Sequence, residues 1–106
     1  MSNDHFIARD LQRELLALVN STQTFSDIHI EQDQPLVLKT PRGWQPANDV
    51  PVSLAQMMPL LTAIDEDWED KVVDGALDCP FELGEWRLRC NIFRMGRGSK
   101  VALSIG

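Results

Sequence analysis

The chain has 106 residues, the size of one domain, and 43% of them are hydrophobic, enough for a core. No apolar run approaches the roughly 20 residues that cross a bilayer, and the N-terminal residues lack the basic start of a signal peptide, so we expect a cytoplasmic protein without direct membrane insertion. The net charge of −6 argues against nucleic acid as a partner. Two cysteines in a reducing compartment predict free thiols.

Charge is distributed unevenly along the second half of the chain. Residues 65–85 carry nine acids and one base, whereas residues 86–106 carry five bases and no acid. Two interpretations remain open. Either these segments form solvated faces that partly neutralise each other within the fold, or they form complementary surfaces through which protomers assemble head to tail.

The first half of the chain predicts one helix followed by three strands. An amphipathic pattern over residues 4–20 predicts a helix that Asn3 or Asp4 caps. Alternating residues and turn signals then predict strands over residues 25–31, 36–40 and 44–46. The third of these is predicted to end at Pro46, with a loop over residues 48–51.

Two helices are predicted between residues 53 and 75. Ser53 can cap a helix that runs to Ile64, and Pro59 is expected to kink or split it. Asp65 can cap a further short helix, which Gly75 ends. A final strand is predicted over residues 101–105.

The most regular segment is a hairpin over residues 77–92. Apolar and polar residues alternate on both sides of Gly84-Glu85, which suits a two-residue type II′ turn. This turn fixes a register in which paired residue numbers sum to 169, so Cys79 lies opposite Cys90 and Glu82 opposite Arg87. One face is then predicted to be apolar and to carry Cys79, Phe81, Leu83, Trp86, Leu88 and Cys90. The order α-βββ-αα-βββ predicts an α+β domain with an antiparallel sheet of about six strands.

No self-contained catalytic site is visible in the sequence. The chain has no phosphate-binding loop and no dinucleotide fingerprint, so we expect it alone neither to bind ATP tightly nor to hydrolyse it. No spacing of side chains predicts a metal site or a cofactor. His29 lies on the polar face of a strand, where a half-exposed side chain bonded to a neighbour such as Asp27 is the plainest interpretation.

Arginines are the functional candidates. Arg87 and Arg89 share the polar face of one strand, about 7 Å apart, and Arg97 lies in a glycine-containing tip over residues 94–100. Several guanidinium groups together can hold a phosphate or a carboxylate. The alternative is that they pair across the strands with Glu82 and other acids.

These segments resemble a known family. Residues 26–31, Ser-Asp-Ile-His-Ile-Glu, resemble the motif that opens the PAS-like domain of type II and type IV secretion ATPases. Residues 78–83 and 87–93, Asp-Cys-Pro-Phe-Glu-Leu and Arg-Leu-Arg-Cys-Asn-Ile-Phe, are similar to a paired segment and strand of pilus-retraction (PilT-like) ATPases. The residues that carry the resemblance outside the arginines are Asp27, His29, Asp78, Phe81 and Asn91.

The resemblance implies a PAS-like N-terminal domain, spanning residues 1–106, of a hexameric cytoplasmic motor ATPase of pilus retraction, pilus assembly or secretion. The ATPase domain, which holds ATP and Mg in such proteins, is expected outside this chain. The implied partners are that ATPase domain, the ATPase domain of the neighbouring subunit, and an inner-membrane platform protein of the pilus or secretion system. By match to motif, Arg87, Arg89 and Arg97 are the nucleotide-proximal, interdomain candidates.

Two functions of other classes remain as alternatives. A small acidic cytosolic secretion chaperone is also an α+β protein, and it would hold an extended polypeptide. A ligand-sensing PAS-like module is disfavoured because no cofactor-binding residue stands out. The arginine-containing strand and the glycine tip favour the motor protein.

Overall fold

The computed structural model describes residues 9–73, 75–95 and 100–106. Its elements follow the predicted order α-βββ-αα-βββ, which confirms the α+β class. The elements are α1 (Leu11–Val19), β1 (Asp27–Glu31), β2 (Gln34–Thr40), β3 (Gly43–Val52), α2 (Leu54–Ile64), α3 (Trp68–Lys71), β4 (Leu77–Leu83), β5 (Trp86–Met95) and β6 (Lys100–Ile105).

The six strands form one antiparallel sheet in the order β3-β2-β1-β6-β5-β4. The first and last strands pair in the centre, with Ile30 opposite Leu103. Both edge strands contain proline, which cannot donate to an added strand: Pro46 and Pro51 lie in β3, and Pro80 lies in β4. These prolines protect the edges against pairing with other chains.

The hydrophobic core lies between one face of the sheet and the helices. Alternate residues of the strands point into it, as Ile30, Ile92 and Leu103 do, and the helices contribute Leu15 and Leu61. Burying a side chain of this size contributes about 1.5–3 kcal/mol, so this shared cluster holds helices and sheet together. The opposite side of the sheet, called here the open face, carries Asp27, His29, Trp44, Asp78, Arg87, Arg89, Asn91, Phe93 and Ser104.

Helix α1 begins later than its sequence pattern predicts. The residue that caps it is Asp10, whose carboxylate accepts a hydrogen bond of 3.0 Å from the backbone N–H of Arg13. The predicted caps Asn3 and Asp4 lie outside the described residues. A cap inside the amphipathic stretch satisfies a free N–H of the first turn, so the described helix starts at Leu11.

Strand β3 is longer than predicted. The expected end at Pro46 and the expected loop over residues 48–51 are both wrong, because β3 continues to Val52. Its register with β2 shifts between Pro35 and Val37. An edge strand hydrogen-bonds on one side only, so proline is tolerated there when its nitrogen faces outward.

Helix α2 confirms the predicted cap, and of the two effects expected of Pro59 it excludes the split. Ser53 and Gln56 form a reciprocal capping box, with hydrogen bonds of 3.0 and 3.1 Å. Pro59 does not split the helix, which continues to Ile64. Pro59 is exposed, whereas Leu60 beside it is buried in the core.

The short helix α3 also departs from the prediction. Its N-cap is Asp67, and it ends at Lys71, before Gly75. Asp65 instead ends α2, and its carboxylate accepts hydrogen bonds from the Asp67 backbone (2.8 Å) and from Lys71 Nζ (2.6 Å). The lysine therefore ties the end of α3 back to the residue that ends α2.

Candidate functional site

The hairpin of β4 and β5 forms the site, and its predicted register is confirmed. Leu83 pairs with Trp86, and Cys79 pairs with Cys90. Gly84 has a φ of +60°, as a type II′ turn requires at its first central position. The fixed register places alternate residues of β5 on the open face.

The apolar face of the hairpin is covered unevenly. Phe81, Leu83 and Cys90 are buried, but Cys79 and Leu88 are only half-buried. Trp86, beside the turn, is 45% exposed. The six residues therefore share one face as predicted, but Cys79, Trp86 and Leu88 are less deeply buried than Phe81, Leu83 and Cys90.

The two cysteines are free thiols, as predicted. Both lie on the face predicted to be apolar, where Cys90 is buried but Cys79, on the edge strand, is only half-buried. Burial raises the pKa of Cys90 to about 12 and also raises the pKa of Cys79 above its usual range. Both thiols are therefore protonated at neutral pH and poor nucleophiles.

Arg87 and Arg89 extend from the open face of β5, and both are exposed. Arg89 donates from Nε and Nη2 to the two carboxylate oxygens of Asp78, at 3.2 and 3.1 Å. This hydrogen-bonded guanidinium lowers the pKa of Asp78 below its ordinary value. Cross-strand pairing with an acid, the alternative left open by the sequence, is thus present at Arg89. Glu82 stands opposite Arg87 in the register, yet among the described residues no ion pair joins these two side chains.

Two clefts meet at this strand. The first has a volume of about 360 Å³ and is lined by Asp78, Cys79, Pro80, Arg87, Leu88, Arg89 and Gly106. The second, of about 330 Å³, lies on the other side of Leu88 and Gly106 and is mostly apolar. Trp86 stands at its rim, where the indole Nε1–H donates to Asn20 Oδ1 at 2.8 Å. The arrangement offers a cationic cleft beside an apolar one.

Among the described residues, Arg94 does not join Arg87 and Arg89 on the open face. Arg97 lies outside the described residues. Arg94 shares the buried face of β5 with Ile92, and its guanidinium lies 6.0 Å from the centre of the Trp68 ring, a cation–π contact. The alternation of β5 already indicated that Arg94 faces the core, because residue 94 has the same parity as Leu88 and Cys90.

His29 lies at the centre of the open face, but its partner is not Asp27. Its Nδ1 lies 3.2 Å from Ser104 Oγ, and its Nε2 lies 3.7 Å from a carboxylate oxygen of Glu31. The ring also meets Trp44 edge-on at 6.1 Å. Asp27 instead accepts a hydrogen bond of 2.7 Å from the neighbouring Ser26 hydroxyl.

Four polar residues form a row across the open face. His29 of β1 pairs with Ser104 of β6, Ser104 pairs with Asn91 of β5, and Asn91 pairs with Asp78 of β4. Three of these four carry the family resemblance, although they are far apart in sequence. Sequence reasoning missed Ser104, because only the pairing of β6 with both β1 and β5 brings it between them. Of the two remaining motif residues, Asp27 lies on the open face outside this row and Phe81 points into the core.

The described residues include no group of three or more His, Cys, Asp or Glu side chains that could hold a metal ion. Within the same ranges, no helix combines the length and the apolar character that crossing a membrane requires.

Comparison with known proteins gives a likeness of fold. No protein-family model matches the chain, and no curated protein matches it. Its structure is similar to the X-ray structure of the Legionella pneumophila ATPase DotB, with a TM-score of 0.68 and 16% sequence identity over 89% of this chain. The matched part is 26% of the DotB chain, so the present chain spans about a quarter of that protein. At this identity we conclude that the chain shares its fold with a part of the ATPase DotB.

Proposed function

We propose that this chain is the N-terminal PAS-like domain of a hexameric, cytoplasmic secretion or pilus ATPase, and that it is not catalytic by itself. The observation that carries the proposal is the pair Arg87 and Arg89, exposed side by side on β5 in a fold similar to part of an ATPase. In this role the domain packs on its own ATPase domain and on that of the neighbouring subunit. A platform protein of the inner membrane is the further partner.

The chemistry of the cationic cleft suits a phosphate. Guanidinium groups form charge-assisted hydrogen bonds to phosphate oxygens, and two residues along one strand face lie about 7 Å apart, within reach of one polyphosphate chain. Both side chains line the same open cleft. In a ring of subunits they would approach ATP and Mg held by an ATPase domain, where added positive charge stabilises the transferring phosphoryl group.

The sequence supports a contributory role for this domain. It has no phosphate-binding loop of its own, so the arginines would act on a nucleotide that another domain binds. The likeness to a part of the ATPase DotB supports an ATPase as the parent class, and the secretion or pilus system rests on the sequence motifs. Pilus retraction, to which the motifs of β4 and β5 are similar, is the more specific form of the proposal.

The experiment compares single alanine variants in the full-length protein that the proposal requires. Arg87→Ala, Arg89→Ala and Arg97→Ala are assayed for ATP hydrolysis and for ring assembly. Loss of a preorganised charge commonly lowers the rate on the order of 100-fold, and we expect such a loss in at least one variant. Arg42→Ala, an exposed arginine outside both clefts, is the matched control.

The 106-residue chain provides the second readout. Its melting temperature should be unchanged by Arg87→Ala, because an exposed side chain without packing contacts usually contributes less than about 0.5 kcal/mol. Parental ATPase rates in all three full-length variants would show that these arginines are only solvated strand residues, and the proposal would then fail.

A further inference from the structure

The two arginines of β5 differ in what holds them. Arg89 is bound at two points by the carboxylate of Asp78, with Nε and Nη2 donating to separate oxygens. Arg87 makes no side-chain hydrogen bond and no salt bridge among the described residues, although Glu82 stands directly opposite. One arginine is thus neutralised in a pair, and the other presents its full charge to the cleft.

We propose that Asp78 gates Arg89: a phosphate chain meets Arg87 first, and Arg89 joins it only by leaving Asp78. The proposal rests on the proposed function, because it assigns different roles to Arg87 and Arg89 at the same anion-binding face. Asp78 is then a positioning residue, which controls how much charge the domain offers to an incoming phosphate.

The strand pairing fixes the backbone of Asp78. Asp78 lies in the ladder of β4 opposite Asn91, while Arg89 lies one diagonal step away, opposite Pro80. The short aspartate side chain reaches less far from its backbone than the long arginine side chain, so Arg89 can extend toward a ligand beyond the reach of the carboxylate. The guanidinium group of Arg89 therefore binds either the Asp78 carboxylate or the phosphate.

The pair is weak enough to open. The side chain of Arg89 is 79% exposed and that of Asp78 is 49% exposed, so water screens their attraction. A polyphosphate carries several charges and can meet Arg87 at the same time, which gives it an advantage over a single carboxylate. Asp78 therefore binds Arg89 when no ligand is present, and Arg89 leaves Asp78 when a polyphosphate competes for it.

The test is a titration of the 106-residue chain with sodium tripolyphosphate at low ionic strength, followed by NMR signals of the arginine Nε–H groups. The parent chain should show its first shifts at Arg87. Asp78→Asn should tighten binding about threefold to fivefold, which is the size expected when an exposed ion pair no longer competes. Glu82→Gln removes the same charge from the same face of β4 and is the matched control.

A double-mutant cycle separates gating from a general effect of charge. In an Arg89→Gln background, Asp78→Asn should lose its effect, whereas any effect of Glu82→Gln should persist. The proposal is overturned if Asp78→Asn tightens binding equally with and without Arg89, if it does not tighten binding at all, or if neither the parent nor Asp78→Asn binds. If Arg87→Ala leaves tripolyphosphate binding unchanged, Arg87 is not the first contact and the gating proposal fails, whereas the proposed function is decided separately by the ATPase rates of the full-length variants.

Discussion

Substitution of Gly84 tests the turn geometry of the hairpin that carries the arginines and the packing of that turn on α1. Its φ of +60° is disfavoured for any residue with a side chain, at a cost of roughly 1–3 kcal/mol. A Cβ atom added at Gly84 would also lie 2.8 Å from Cδ1 of Leu16 in α1. Because that methyl group ends a flexible side chain, it can move, at a cost of about 0.5–1.5 kcal/mol for an off-rotamer χ angle. Gly84→Ala is therefore expected to destabilise the chain by about 1.5–4.5 kcal/mol.

Substitutions at two other glycines separate the cost of backbone strain from the cost of the contact with Leu16. A Cβ at Gly43 would meet nothing within 4 Å, but its φ is +103°, so Gly43→Ala should cost backbone strain alone, about 1–3 kcal/mol. Gly75 has neither a positive φ nor a neighbour within 4 Å. Gly75→Ala should change the free energy of unfolding by less than about 0.5 kcal/mol, or stabilise slightly through the unfolded state.

The assay is urea unfolding followed by tryptophan fluorescence, with the slope checked for two-state behaviour. A Leu16→Ala background removes the contact but leaves the turn strained, so Gly84→Ala should cost about 1 kcal/mol less there. If Gly84→Ala proves no more destabilising than Gly75→Ala, the turn geometry and its packing on α1 are wrong. If Gly84→Ala destabilises the chain equally in both backgrounds, the backbone strain at Gly84 is supported but the close contact with Leu16 is refuted.

Further expectations concern the core, the thiols and acid stability. Phe81→Ala should lower the free energy of unfolding by about 3 kcal/mol in urea; a loss below about 1 kcal/mol would contradict its burial. Cys79 should react with iodoacetamide faster than the buried Cys90 in the native chain, and equal rates by mass spectrometry would argue against this. The Lys71 ammonium group, with the Asp67 backbone N–H, lowers the pKa of Asp65 below its ordinary value. Asp65 thus adds stability above about pH 4 that is lost as the pH falls through its folded pKa, and Asp65→Asn should flatten that acid limb of the pH–stability curve.

The hairpin of β4 and β5 could be predicted because its information is local. Alternation decides which side chains share a face, and the two-residue turn at Gly84 decides which residues are paired. Nothing distant is needed to place Arg87 and Arg89 together on one face. The capping box at Ser53 is predictable for the same reason, since its partners lie three residues apart.

The length of β3 was not predictable in this way. Pro46 and Pro51 read as strand breakers unless the strand lies at the edge of the sheet, and only the full order of the strands makes β3 an edge. The sequence also left open whether Pro59 kinks or splits its helix. A proline can break an isolated helix, whereas α2 is not split at Pro59 and buries Met57, Leu60 and Leu61 in the core.

The contacts that distinguish one functional residue from another are tertiary. The sequence register sets Glu82 opposite Arg87, but the side chains join Asp78 to Arg89 across a diagonal. His29 meets Ser104, 75 positions away, because the first and last strands pair in the middle of the sheet. Alternation thus determines which face an arginine or a histidine occupies, whereas the partner that holds its charge depends on side-chain reach and on the order of strands, which short-range pattern does not encode.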